Sequence, residues 1–180
     1  ALSKVITKDG LGGEKAFDIF ENIIDPANIS PDHPRYLAYV PNAPANAASL
    51  FDLVVSACSM IGTTWLEASG AVAAENQALR FISDMIGYSS SSGGVFVSGG
   101  TAANLSALLA ARHRFREVHP EHNRSRLAIA CAPSAHSSIK KACEAMDIDI
   151  IEIVGDEYLR LIGKNLESTW STIDEEEKSR

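Results

Sequence analysis

Residues 93–112 read GGVFVSGGTAANLSALLAAR; LAIAC follows at 127–131, SAHSSIKKACEAM at 134–146 and IDIIEIV at 148–154. Val95-Phe96-Val97 is a short apolar run that predicts a strand, Ser98-Gly99-Gly100-Thr101 a turn, and Ala102 to Arg116 a helix of strong helix formers. Residues 127–131 predict a second strand, His136 to Met146 a helix, and Ile148 to Val154 a third strand. Strand, helix, strand, helix, strand in this spacing is the pattern of a parallel sheet with crossover helices, so the expected class is α/β.

Upstream, EKAFDIFENII at 14–24 spaces Phe17, Phe20, Ile23 and Ile24 three to four apart, which predicts a short amphipathic helix stopped by Asp25-Pro26. Pro31, Pro34, Pro41 and Pro44 then exclude a continuous helix and predict an extended segment. Helical spacing returns from about Ala47 to Ile61 and again from about Ser69 to Ile86, with Gly87 placed to close the second helix. The four serines at 89–92 read as a short flexible turn. Downstream of 155 apolar density falls, and the chain ends in the charged run IDEEEKSR. These breaks divide the chain into an arm or interface segment (1–45), an α/β body (46–160) and a charged tail or truncated end (161–180).

The 180 residues carry 16 Lys+Arg against 23 Asp+Glu, a net charge of −7, and are 46% hydrophobic. That balance is ordinary for a globular chain and far from the composition of disordered ones. An acidic surface argues against a general polyanion binder and hence against nucleic acid as partner. No apolar run approaches the ~20 residues of a membrane span, and no signal-peptide core follows the N-terminus. Three cysteines, without metal-ligand spacing, fit a reducing compartment, so a cytoplasmic protein is expected.

Two features carry chemistry. A glycine turn that opens a helix presents free N–H groups and the positive end of the helix dipole, a site for anions and phosphate above all; Gly99-Gly100 let the backbone approach, and Thr101 adds a hydroxyl. The Lys of a Walker A loop is missing, and G-x-G-x-x-G is not matched. The same residues could equally be a tight turn with Thr101 as helix cap. His136 follows the 127–131 strand at the start of a helix, where ligands collect in open parallel sheets. Its imidazole could stack on a flat ligand or transfer a proton; a lone histidine at this place could also simply cap the helix. His119-x-x-His122 lacks Cys or carboxylate support for a metal and reads as a solvated basic helix end among Arg112, Arg114, Arg116 and Arg124.

In order and spacing, these segments resemble the group II pyridoxal-phosphate-dependent decarboxylases, the family of aromatic-L-amino-acid, glutamate and histidine decarboxylases. The resemblance rests on HPRYLAY (33–39), on Glu75 in AAENQALRFISDMIG (73–87), on GGVFVSGGTAANLSALLAAR and on SAHSSIKKA (134–142). It implies part of a fold-type-I, three-layer α/β/α fold with mainly parallel strands behind a helical N-terminal arm. It implies pyridoxal 5'-phosphate as cofactor, with Gly100 and Thr101 at the phosphate and His136, also catalytic, stacked over the pyridine ring. Pro41 and Asn42 fall in the family's substrate-contacting segment. There Asn42 replaces the threonine of aromatic-amino-acid members, and Val40 is smaller than their aromatic residue. The implied partners are a small amino acid substrate and a second copy of the chain, with the active site at the dimer interface.

The resemblance also implies a late lysine for the Schiff base and an aspartate, in a D-x-A-x-x-G context, for the pyridine nitrogen. Neither motif occurs; Lys140 and Lys141 lie too close to His136, and Lys164 and Lys178 lack the context. The expectation is an N-terminal portion of a decarboxylase that turns an L-amino acid into an amine and carbon dioxide. A non-catalytic scaffold that kept the cofactor-domain core, or another fold-type-I lyase, is the alternative.

Overall fold

The computed structural model describes residues 2, 6–39, 43–174 and 178. It divides into two compact units, Ala1–Glu75 and Asn76–Arg180.

In the first unit, α1 (Gly13–Ile19) runs on without a break through one wider π turn at Phe20–Ile24 and a 3-10 turn at Asp25–Ala27. The amphipathic helix expected over 14–24 is therefore present, and Pro26 starts the closing turn, where its missing N–H costs nothing. The second helix, α2, spans Asn46–Ala57 and ends four residues earlier than its apolar pattern does. The third, α3 (Trp65–Met85), starts before the expected Ser69 and is interrupted at Ala68, whose φ of −143° and ψ of 50° are not helical. Its start is legible afterwards as a cap: the Glu67 N–H donates to Thr64 Oγ1 at 3.2 Å and the Thr63 hydroxyl to the Glu67 carboxylate at 2.9 Å.

The division between the units falls within α3, and its C-terminal part opens the second unit. Gly87 closes α3 as expected, at a φ of 78° that favours glycine. The Tyr88 N–H bonds the Ser83 carbonyl at 2.8 Å and the Gly87 N–H that of Asp84 at 3.1 Å, a Schellman closure. The serine turn is tied down rather than loose, because Arg80 donates to the carbonyls of Ser89 and Ser90, each at 3.1 Å. Residues 95–97 correct the first expected strand: they carry no ladder, and the described sheet consists of two strands. A strand exists only through a partner, and Val95, Phe96 and Val97 stay exposed.

The rest of the alternation is observed. α4 (Gly100–Val118), β1 (Ala128–Cys131), α5 (Ser137–Met146) and β2 (Asp149–Glu152) follow in order. β1 and β2 pair in parallel with Ala128 opposite Asp149 and Cys131 opposite Glu152, so α5 is a crossover helix. α5 packs on α4 and on β2. Its inward face, Ser138, Ala142, Cys143 and Met146, closes the core with Leu127 and Ile153. Arg112 reaches from α4 to the Met146 carbonyl at 3.2 Å, satisfying the end of α5. α5 ends in a second Schellman closure, here with Asp147 in the left-handed region at a φ of 56°. Beyond β2 a tight loop leads to α6 (Gly163–Thr172), within the stretch read as a charged tail or truncated end.

Candidate functional site

The site is built from two helix starts. α4 begins at Gly100 with Gly99 as cap, and no side chain bonds its first turn. The first helical bond runs from the Ala103 N–H to the Gly99 carbonyl at 3.0 Å, so the amides of Gly100, Thr101 and Ala102 precede the ladder. Thr101 lies inside the helix and is not its cap, which corrects that reading. A Cβ added at Gly99 or Gly100 would meet nothing within 4 Å, so the turn faces open space. Exposed amides, a hydroxyl at Thr101 and room in front are the donor set and the shape an oxyanion needs.

His136 caps α5: its Nδ1 accepts the Ser138 N–H at 3.2 Å. The capping reading is therefore correct, yet it uses only one nitrogen. Nδ1 also lies 2.8 Å from the Ser138 hydroxyl, and that hydroxyl lies 2.7 Å from the Asn104 amide. Asn104 stands three residues beyond Thr101, less than one turn along α4. Asn104 and Ser138 thus tie the helix that the glycine turn opens to the helix that His136 caps. Sequence reasoning passed over both of these residues. An asparagine amid strong helix formers was the available signal, since it is a poor choice for a helix interior unless its amide is used.

A pocket of about 250 Å³ lies beside His136 at the carboxyl ends of β1 and β2, lined by Cys131, Pro133, Ala135, Lys140 and Glu152 among others. That is where open parallel sheets hold ligands. Burial, and next the Glu152 carboxylate, push the Cys131 thiol above its ordinary value, so it stays protonated and is no ready nucleophile. The loop after β2 braces the segment before His136. The Ser134 hydroxyl donates to the Leu159 carbonyl at 3.0 Å, and Asp156 holds Arg160 through a 2.6 Å ion pair.

Pro41 and Asn42 lie outside the described residues. In the first unit, the HPRYLAY segment folds on itself around a second pocket of about 260 Å³ that includes His33, Arg35 and Tyr36. Among the described residues no cluster of three His, Cys, Asp or Glu could hold a metal ion. His119 and His122 instead flank the Phe115 ring, with centroids at 4.7 and 5.7 Å.

The family model of the pyridoxal-dependent decarboxylase conserved domain matches residues 13–178. The chain is similar to aromatic-L-amino-acid decarboxylase of Bacillus atrophaeus, 29% identical over 133 residues, which cover 72% of this chain and 27% of that protein. It is similar to histidine decarboxylase of Drosophila melanogaster, 29% identical over 169 residues, 84% of this chain and 20% of the relative. The chain therefore spans less than a third of the length of these curated relatives. Among solved structures it is similar to Oryza sativa TDC with PLP and tryptamine, at a TM-score of 0.78 and 23% identity over 94% of this chain and 40% of that one. The shared fold is that of fold-type-I enzymes with a helical arm before a parallel sheet, as the sequence led one to expect. With the family match running over nearly its whole length, the chain belongs to the pyridoxal-dependent decarboxylases.

Proposed function

We propose that this chain is the portion of a pyridoxal-phosphate-dependent amino acid decarboxylase that anchors the cofactor's phosphate and stacks on its ring. The observation that supports the reading is the hydrogen bond from Asn104 to Ser138, which ties the helix opened by the glycine turn to the helix capped by His136. In this reading the Gly100 and Thr101 amides and the Thr101 hydroxyl hold the phosphate. The α4 dipole favours its charge, and the His136 face lies against the pyridine ring. When bound, pyridoxal phosphate supplies the electron sink that lets an amino acid lose its carboxylate as carbon dioxide. By the family resemblance, Pro41 and Asn42 belong to the substrate-contacting segment.

The whole protein acts as a cytoplasmic homodimer with the site at the subunit interface. Exposed Phe17 and Phe20 on the arm, and three free cysteines, support that setting. No lysine of this chain stands in a context suited to the cofactor, so these 180 residues by themselves do not decarboxylate.

Fluorescence titration of the chain with pyridoxal phosphate and with pyridoxal tests the reading. Pyridoxal phosphate should bind at least about tenfold more tightly, roughly the worth of a charge-assisted anion contact, and Thr101→Val should remove most of the difference. Equal binding of the two ligands would overturn it. Borohydride fixation of pyridoxal phosphate at one unique lysine would overturn the claim of inactivity alone.

A further inference from the structure

The hydrogen bonds at His136 have a direction that can be worked out from one donor that cannot turn round. The Ser138 backbone N–H points at Nδ1 from 3.2 Å and can only donate, so Nδ1 offers a lone pair. The Ser138 hydroxyl, 2.8 Å from the same nitrogen, must then spend its single proton there. With that proton committed, Ser138 Oγ can only accept from its third neighbour, and Asn104 supplies an N–H at 2.7 Å. Every member is satisfied, and Ser138, 1% exposed, has no water to replace either partner. A neutral imidazole with Nδ1 accepting twice carries its proton on Nε2.

We propose that the side chains of Asn104 and Ser138 are positioning groups that reinforce the Nε2–H tautomer which the Ser138 backbone N–H sets, and that hold the His136 ring to α4. The other ring nitrogen is then a donor. In this state His136 offers a flat face and one N–H to the ligand, and does not take up a proton at Nε2. Asn104 does this from the helix whose first turn is the proposed phosphate anchor. The tautomer follows from the hydrogen bonds alone; what the ring is positioned against rests on the cofactor reading above.

Nitrogen-15 NMR of the full chain, labelled at histidine and read at a pH of about 8, above the ordinary histidine range, reports each tautomer directly. His136→Gln identifies the signal among the five histidines. Wild type should show the Nε2–H tautomer; Asn104→Ala and Ser138→Ala, which leave only the backbone N–H to hold Nδ1 firmly, should show a smaller Nε2–H fraction, and Ser138→Thr should keep the wild-type fraction. Thermal melting checks that each variant folds. Asn104 is only half-buried, so its variant carries the test if Ser138→Ala does not fold. An Nδ1–H tautomer in wild type, or an unchanged signal in Asn104→Ala, would overturn the proposal. With pyridoxal phosphate added, the induced circular dichroism of the cofactor band should fall in Asn104→Ala and persist in Ser138→Thr; equal bands would overturn the positioning role. No induced band in any protein, with the tautomer pattern intact, would count against the cofactor reading alone and support the hydrogen-bonded arrangement at His136.

Discussion

The two halves of this chain bury their apolar residues very differently. Among the described residues of the first unit none is buried, although α1 and α2 present Phe17, Phe20, Leu50, Phe51 and Leu53. Every buried residue of the described chain lies in the second unit: Ser83, Leu127, Ser138, Ala142, Cys143, Met146 and Ile153. Helical periodicity is present in both, so amphipathicity alone does not make a core. The second unit has one because a crossover helix folds back onto two parallel strands and a second helix packs on it. Its two reactive-looking features, the glycine turn and His136, are held by that same packing.

The contrast is broken most severely from its core. Ile153→Ala, at a residue 1% exposed, should cost about 2–5 kcal/mol in urea denaturation. Phe51→Ala, 69% exposed, should cost under about 0.5 kcal/mol despite removing the larger side chain. Similar losses at both would mean that the first unit has a core of its own.

A smaller effect is expected at Gly155. A Cβ there would meet the Leu159 backbone at 2.7 and 2.8 Å, and backbone cannot swing aside as a side chain does. Gly155→Ala should cost about 1–3 kcal/mol by the ordinary measure of overpacking. It should also loosen the Ser134–Leu159 bond, seen as faster amide exchange over residues 132–136. Unchanged stability would show that the loop shifts freely.

The smallest effect is a titration. Hydrogen bonds from the Arg160 side chain, then from the Arg160 and Tyr158 backbone, hold the Asp156 carboxyl below its ordinary 3.8. Its folded value being the lower one, Asp156 stabilises the loop above the unfolded value, and that contribution is lost as pH falls through the folded one. Protection of the 156–160 amides, taken relative to their intrinsic exchange rates, should therefore fall only in that acid window and be flat above pH 5 or so, roughly a unit beyond the ordinary carboxylate range. Asp156→Asn should abolish the step.

Much of the second unit was legible because its signals are local. Alternating apolar runs marked β1, α5 and β2, and Gly87 marked the end of α3. The failures share a cause. Residues 95–97 have the composition of a strand, but pairing depends on a neighbour that periodicity does not reveal. α6 carries only Leu166 and Trp170 as an apolar pair four apart, too little to stand out from a polar tail. At the site, the sequence pointed to Gly100, Thr101 and His136 because glycine turns and histidines are conspicuous. Asn104 and Ser138 act across 34 residues, through the packing of α4 on α5, and no spacing rule marks such a pair.

The central claim is that the α4 start and His136 bind one ligand together. Amide and imidazole signals of the labelled chain, followed while pyridoxal phosphate is added, test it most directly. The amides of Gly100 and Thr101 and the Nε2 of His136 should shift along a single saturation curve. Shifts at one of the two places without the other, or two curves with different midpoints, would contradict it.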